Sequence, residues 1–208
     1  MAVPQASGDT RATEGIVSPK RFVLLNRRQA SLLVAASVLG ARLDAQAADG
    51  ARWLPWPDTL PTPELHLPDL NGKAWDLAQE QGAPVLVNFW ATWCEPCRAE
   101  MKSFEVLERQ FKAQRLKVVA VNYKEAREPV QRFREAYGLS LAFVRDSYGD
   151  AARTWGVTVF PTTFVIGTAG RAVLRIEGEV DWGNAANQKR LQAFLQMQPA
   201  WQTARATI

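Results

Sequence analysis

Residues 85–91 read Val-Leu-Val-Asn-Phe-Trp-Ala, an apolar run interrupted only by Asn88, and two residues later comes Cys94-Glu95-Pro96-Cys97. A run of this length, rich in branched and aromatic side chains, fits a strand buried on both faces, as a central strand is between layers of helices. Beyond it, Met101, Phe104, Leu107 and Phe111 recur at three- and four-residue spacings, which predicts one apolar stripe on a helix over residues 94–114. A buried strand running straight into an amphipathic helix constrains the chain to an α/β fold.

The remaining pattern extends that architecture. Residues 65–70 read as a short strand, Asn71-Gly72 as a turn, and residues 74–77 as a second short segment. Residues 116–122 are another buried strand. Val130, Phe133 and Tyr137 lie on one face of a helix over residues 128–137. A short strand (141–144) and a short helix (150–155) follow. Residues 162–166 and 172–176, joined through Gly167 and Gly170, predict a hairpin, and a helix over 187–197 closes the pattern. Alternating strands and helices followed by a hairpin and helix point to a mixed central sheet flanked by helices.

The chain has two cysteines, and both lie in the C-x-x-C. Cysteines at this spacing can close a small reversible ring. A thiol just ahead of a helix meets unpaired backbone N–H groups and a partial positive charge, both of which favour thiolate. This implies thiol–disulfide exchange: Cys94 attacks a target disulfide and Cys97 resolves the mixed disulfide. Zinc competes poorly, because a closed structural site takes about four ligands and the chain offers two Cys and one His. A purely structural bridge across so short a loop would stabilise little.

The first 47 residues have the makeup of an export signal. Lys20, Arg21, Arg27 and Arg28 precede an apolar core at residues 30–41, too short to span a bilayer, and Ala45-Gln46-Ala47 suits cleavage after Ala47. Asn26-Arg27-Arg28-Gln29 is a loose twin-arginine pattern, which leaves the general and twin-arginine routes both open. No cysteine lies there to carry a lipid anchor. The full chain has a formal net charge of +4, but six basic and three acidic side chains fall in the signal. The mature part is then near +1, which gives no reason to expect nucleic acid. The domain reading is a signal (1–47), an extended Pro/Trp-rich arm (48–64), the catalytic domain (65–198) and a tail (199–208). Trp53 and Trp56 in the arm are expected to pack onto the domain.

The segments VLVNFWATWCEPCRAEM, VVAVNYKE and GVTVFPTTFVIG together resemble the TlpA/ResA-like branch of the thioredoxin superfamily, over residues 65–196. The resemblance implies a thioredoxin-like fold with the family's N-terminal strands and a central helix–strand insertion. It also implies a redox disulfide between Cys94 and Cys97, with Cys94 the exposed attacking thiol and Cys97 the more buried one. Pro96 fits the first helical turn, whose N–H groups have no intrahelical partner. Pro161 would be the cis-proline facing the disulfide, leaving the Phe160 backbone open to pair with an extended substrate. Trp93, Pro96, Phe160 and Thr162 are the expected substrate contacts, with Trp93 an exposed lid and Trp90 in the core. Glu100 matches an active-site acid of the family and could influence thiol proton transfer, whereas Asn88 stands where thioredoxin has a buried Asp and cannot titrate. Val159 replaces a glycine frequent in the family two residues before the proline.

Glu95, an acid beside the nucleophile, disfavours thiolate, and no His separates the cysteines; both argue for a reductant. The expected partners are exported proteins with disulfides and a membrane thiol-transfer reductant, for a periplasmic monomer that uses no cofactor or metal. The resemblance suggests apocytochrome c or a copper-site assembly protein as target. Competing readings are a disulfide-forming oxidant and a copper chaperone, although the latter normally calls for a further His or Met ligand and His66 is the one His at hand. A thiol peroxidase is disfavoured because its P-x-x-x-T-x-x-C setting is absent. Lys124, Glu125, Arg127, Arg132 and Arg134 read as solvated faces, and His66 as structural.

Overall fold

The computed structural model describes residues 50–196; the segment 1–47 expected to be an export signal and the tail 199–208 lie outside the described residues. Eight strands and four α-helices follow in chain order. The strands are β1 (Arg52–Pro55), β2 (His66–Pro68), β3 (Ala74–Asp76), β4 (Val85–Trp90), β5 (Lys117–Tyr123), β6 (Ala142–Asp146), β7 (Thr162–Ile166) and β8 (Ala172–Glu177). The helices are α1 (Glu95–Gln110), α2 (Arg127–Ala136), α3 (Asp150–Thr154) and α4 (Ala185–Gln196). A six-stranded sheet runs in the order β1-β8-β7-β4-β5-β6, and β2 and β3 form a separate hairpin. Strands β4, β5 and β6 are parallel neighbours, whereas β7 pairs antiparallel with both β4 and β8. The expected mixed sheet is therefore present, with α2 and β6 as the helix–strand insertion that supplies one edge.

All six residues of β4 are buried. Successive side chains of a strand point to opposite faces, and the two apolar clusters divide accordingly. Leu86 and Trp90 join Val118, Ala120, Phe104 and Leu107 on the face covered by α1, whereas Val85, Val87 and Phe89 join Val119, Val121, Phe164 and Trp155 on the other. Asn88 shares its alternation with Leu86 and Trp90, so this polar residue is turned toward α1.

The structure corrects part of the N-terminal reading. The segment 48–64 does not simply run over the surface, because Arg52–Pro55 pairs antiparallel with β8 and becomes the edge of the main sheet. Burial of Trp53 holds it there, as the ring packs 5.8 Å from Trp182 and 6.2 Å from Phe194. Proline is tolerated at this place because an edge strand need not donate every N–H. The long helix is also shorter than its apolar stripe suggested: α1 ends at Gln110 with Phe111 as its C-cap, and a 3-10 turn, Lys112–Gln114, carries the chain on toward β5.

The loop after β8 is fastened to α1. Ser103 Oγ donates to the Glu100 carbonyl at 2.7 Å and accepts the Trp182 N–H at 3.0 Å, and Trp182 is fully buried against Phe104. Ser103→Ala leaves that N–H without its partner and is expected to cost about 1–3 kcal/mol. A urea midpoint equal to wild type would show that the bond does not matter.

Candidate active site

Cys94 is the N-cap of α1, with extended backbone angles, and its Sγ accepts the Cys97 N–H at 3.3 Å. Pro96 occupies the first turn, where no N–H is needed. The Cys94 N–H closes a tight turn onto the Ala91 carbonyl at 3.2 Å, so the chain leaving β4 reverses directly into the helix. Cys94 and Cys97 form a disulfide with Cα atoms 5.3 Å apart. Cys97 is fully buried. Cys94 is less exposed than the sequence suggested, at 6%, because its sulfur is folded over the helix N-terminus. The relative order of access nevertheless holds.

Trp93 is 64% exposed and sets its ring edge-on to Phe160 at 5.9 Å, while Phe160 also meets Tyr123 at 4.9 Å. The β4–β7 register ends at Phe89↔Thr162, which brings the residues just ahead of Thr162 alongside those leading into the motif. The Phe160–Pro161 peptide is cis. Thr162 differs from expectation: it is fully buried, its hydroxyl donates to the Val159 carbonyl at 2.8 Å, and its side chain offers nothing to a substrate. Val159 is exposed at the rim, as are Glu95 and Pro96.

Glu100 is not a solvated helix residue. It is 1% exposed, its Oε1 accepts from Asn88 Nδ2 at 2.6 Å, and its Oε2 accepts from the Val180 N–H at 3.0 Å. Asn88 Nδ2 also donates to Thr163 Oγ1 at 3.0 Å. Burial pushes the Glu100 carboxyl well above the ordinary carboxylate range; the bonds from Val180 and Asn88 pull it back, and Glu179 adds to the rise. Cys97 and Glu100 are both buried three residues apart on one helix, a spacing that makes side chains neighbours. A half-turn of the Asn88 amide would present its oxygen, which has no partner as placed, to a protonated Glu100. Asn88 can thus serve either protonation state without titrating.

Glu125, read from the sequence as part of a solvated face, is instead bonded inward, and Asn122 beside it was not singled out. The Glu125 carboxylate accepts the Thr92 N–H at 2.7 Å, the Thr92 hydroxyl, and Asn122 Nδ2 at 2.6 Å. Asn122 is itself fully buried in β5. A signal was present: β4 and β5 are adjacent parallel strands, and groups just past the carboxyl ends of such strands gather at one site. His66, by contrast, lies on the β2–β3 hairpin with its Nδ1 3.6 Å from Asp76 Oδ2.

A reversible cysteine pair heading the helix after a central strand, on this sheet order, defines a thioredoxin-fold thiol–disulfide oxidoreductase. The AhpC/TSA family model matches residues 59–174, over half of the chain, and the chain belongs to that family, in its ResA-like branch. It is 36% identical over 116 residues to the thiol-disulfide oxidoreductase ResA of Bacillus subtilis, covering 56% of this chain and 65% of that relative. With ResA of Bacillus thuringiensis subsp. konkukian the identity is 33% over 117 residues, covering 56% of this chain and 68% of the relative. The match thus spans about two thirds of these curated relatives. A crystal structure of a candidate thiol:disulfide interchange protein DsbE from Chlorobium tepidum superposes with a TM-score of 0.58 at 27% identity, covering 66% of this chain and 94% of that one. Among the described residues, no helix is long and apolar enough to cross a membrane.

Proposed function

We propose that the protein is exported to the periplasm and, as a monomer, reduces disulfides in other exported proteins. The Cys94 thiolate attacks one sulfur of the target disulfide, and the displaced sulfur leaves as a thiolate. Cys97 then loses its proton and attacks Cys94 Sγ, releasing the second target sulfur. Two electrons pass to the target and the Cys94–Cys97 disulfide remains. A membrane thiol-transfer protein would re-reduce it. Apocytochrome c before haem attachment, or a copper-site assembly protein, is the target class, and nucleic acid has no part in this role.

The observation that carries the direction is the charge around the pair. Glu95 lies between the cysteines, while Arg98, next to Cys97, directs its guanidinium to Tyr137 Oη at 2.9 Å. An acidic neighbour disfavours a thiolate, so the reduced dithiol gains little from ionisation and the couple is drawn toward reducing potentials. The exposed Trp93 and the half-buried Phe160 beside the cis peptide offer an apolar ledge for an extended target segment.

The test is the two-electron reduction potential, equilibrated against a thiol buffer and read by Cys94 alkylation. A value at or below roughly −270 mV, that of thioredoxin, is expected. A value near about −120 mV would make the protein a disulfide donor and overturn the reading.

A further inference from the structure

The disulfide holds Cys94 at the head of α1 only in the oxidised state. Once it opens, Cys94 is kept in place by the turn Ala91–Cys94, by its sulfur on the Cys97 N–H, and by its own carbonyl accepting the Arg98 N–H at 3.1 Å. The turn is a single tight reversal, and its second residue, Thr92, is gripped from outside. Glu125 Oε2 takes the Thr92 N–H and Oε1 takes the Thr92 hydroxyl. A fork of this kind restrains both the position and the rotation of the residue it holds.

Glu125 is itself anchored. Its Oε2 also accepts from Asn122 Nδ2, and Asn122 pairs in register with Trp90, the last residue of β4. The ends of two parallel strands, the carboxylate and the turn therefore close a ring of contacts. Every link in it is independent of the sulfur–sulfur bond.

We infer that Glu125 is a positioning residue for the redox pair: its carboxylate clamps Thr92 and so keeps Cys94 presented at the helix N-terminus while the disulfide is open. This rests on the oxidoreductase reading, and it adds a residue that neither touches the sulfurs nor transfers a proton. Glu125 lies 33 residues from the turn it holds. The clamp requires acceptor geometry rather than charge. In Glu125→Gln one oxygen can still accept from Thr92 N–H and Asn122, and the amide can donate to a reversed Thr92 hydroxyl. Glu125→Ala removes all three contacts.

The test compares wild type, E125A and E125Q in the full chain, by amide hydrogen exchange of the reduced and oxidised forms and by the rate of reducing a protein disulfide. In E125A, exchange at Thr92, Trp93 and Cys94 should rise about tenfold in the reduced form and much less in the oxidised form. Disulfide reduction should slow about tenfold, and E125Q should restore both. Wild-type exchange and rate in E125A, or a loss in E125Q equal to that in E125A, would overturn the assignment. If E125A does not fold, Thr92→Val removes the hydroxyl contact alone; it should slow reduction, and a wild-type rate there is equally decisive against the clamp. Failure of the wild-type protein to reduce any disulfide would instead sink the proposed function, while amide exchange would still decide whether Glu125 holds the turn.

Discussion

Cys97→Ser is expected to accumulate a stable covalent complex with a target disulfide, whereas Cys94→Ser forms none and shows no turnover above uncatalysed thiol exchange. The asymmetry follows from where the two sulfurs lie. Cys94 caps α1, so its thiolate faces unpaired N–H groups and the positive end of the helix dipole, and it is the sulfur with residual access to solvent. Cys97 is fully buried inside the first turn and cannot meet a target before Cys94 has done so. Removing the attacking thiol therefore stops the reaction at its first bond. Removing the resolving thiol stops it at the second, with the target still attached. Reduced variants mixed with an oxidised protein substrate and run on a non-reducing gel distinguish these cases. A complex with Cys94→Ser alone would reverse this order of attack, and equal trapping by both variants would show that no such order exists.

How much of this was legible in the sequence depended on the range of the interaction. Strand β4, helix α1 and the division of residues into two faces follow from local periodicity, and each lies within a residue or a turn of its expected place. The identity of the two cysteines as a pair needed no structure. What escaped were contacts between distant parts of the chain. β1 was hidden because a four-residue segment with proline at its end has no strand signal of its own; its partner β8 lies over a hundred residues away, as the Arg52–Glu177 bond at a separation of 125 illustrates. Glu125 looked solvated because its neighbours Lys124 and Arg127 are exposed, and only the parallel pairing of β4 and β5 reveals that it faces Thr92. Thr162 was misread for the converse reason: its position beside Pro161 suggested a substrate contact, but pairing with strands on both sides buries it.

Glu100 is where sequence and structure combine into a pH-dependent result. Its carboxyl is raised well above the ordinary range, chiefly by burial, so the folded protein holds a proton that the unfolded chain has already released. Between the ordinary carboxylate pKa and the raised folded value, the native state binds more protons than the unfolded state, and stability falls as pH increases. The contribution is fully present below the unfolded pKa and is lost as pH rises through the folded pKa. Glu100→Gln mimics the neutral acid and removes this slope. Its stability relative to wild type should increase through that window, by up to about 1.4 kcal/mol per pH unit, and then level off. Urea unfolding at a series of pH values measures it, and a difference independent of pH would show that Glu100 does not titrate as its burial requires.

The same variant has an opposite effect on chemistry. Cys97 must lose a proton before it can release the target, and we propose that the ionised form of Glu100, buried three residues along the same helix, takes it. A raised pKa makes that base stronger, and its neutral amide replacement cannot accept a proton at all. Resolution of the mixed disulfide should slow by about 10²-fold, and the wild-type rise and plateau with pH should give way to a rate that follows hydroxide alone. Stopped-flow measurement of resolution across pH is the check. A wild-type profile in E100Q would assign the proton to water and leave Glu100 only its structural bonds to Asn88 and Val180.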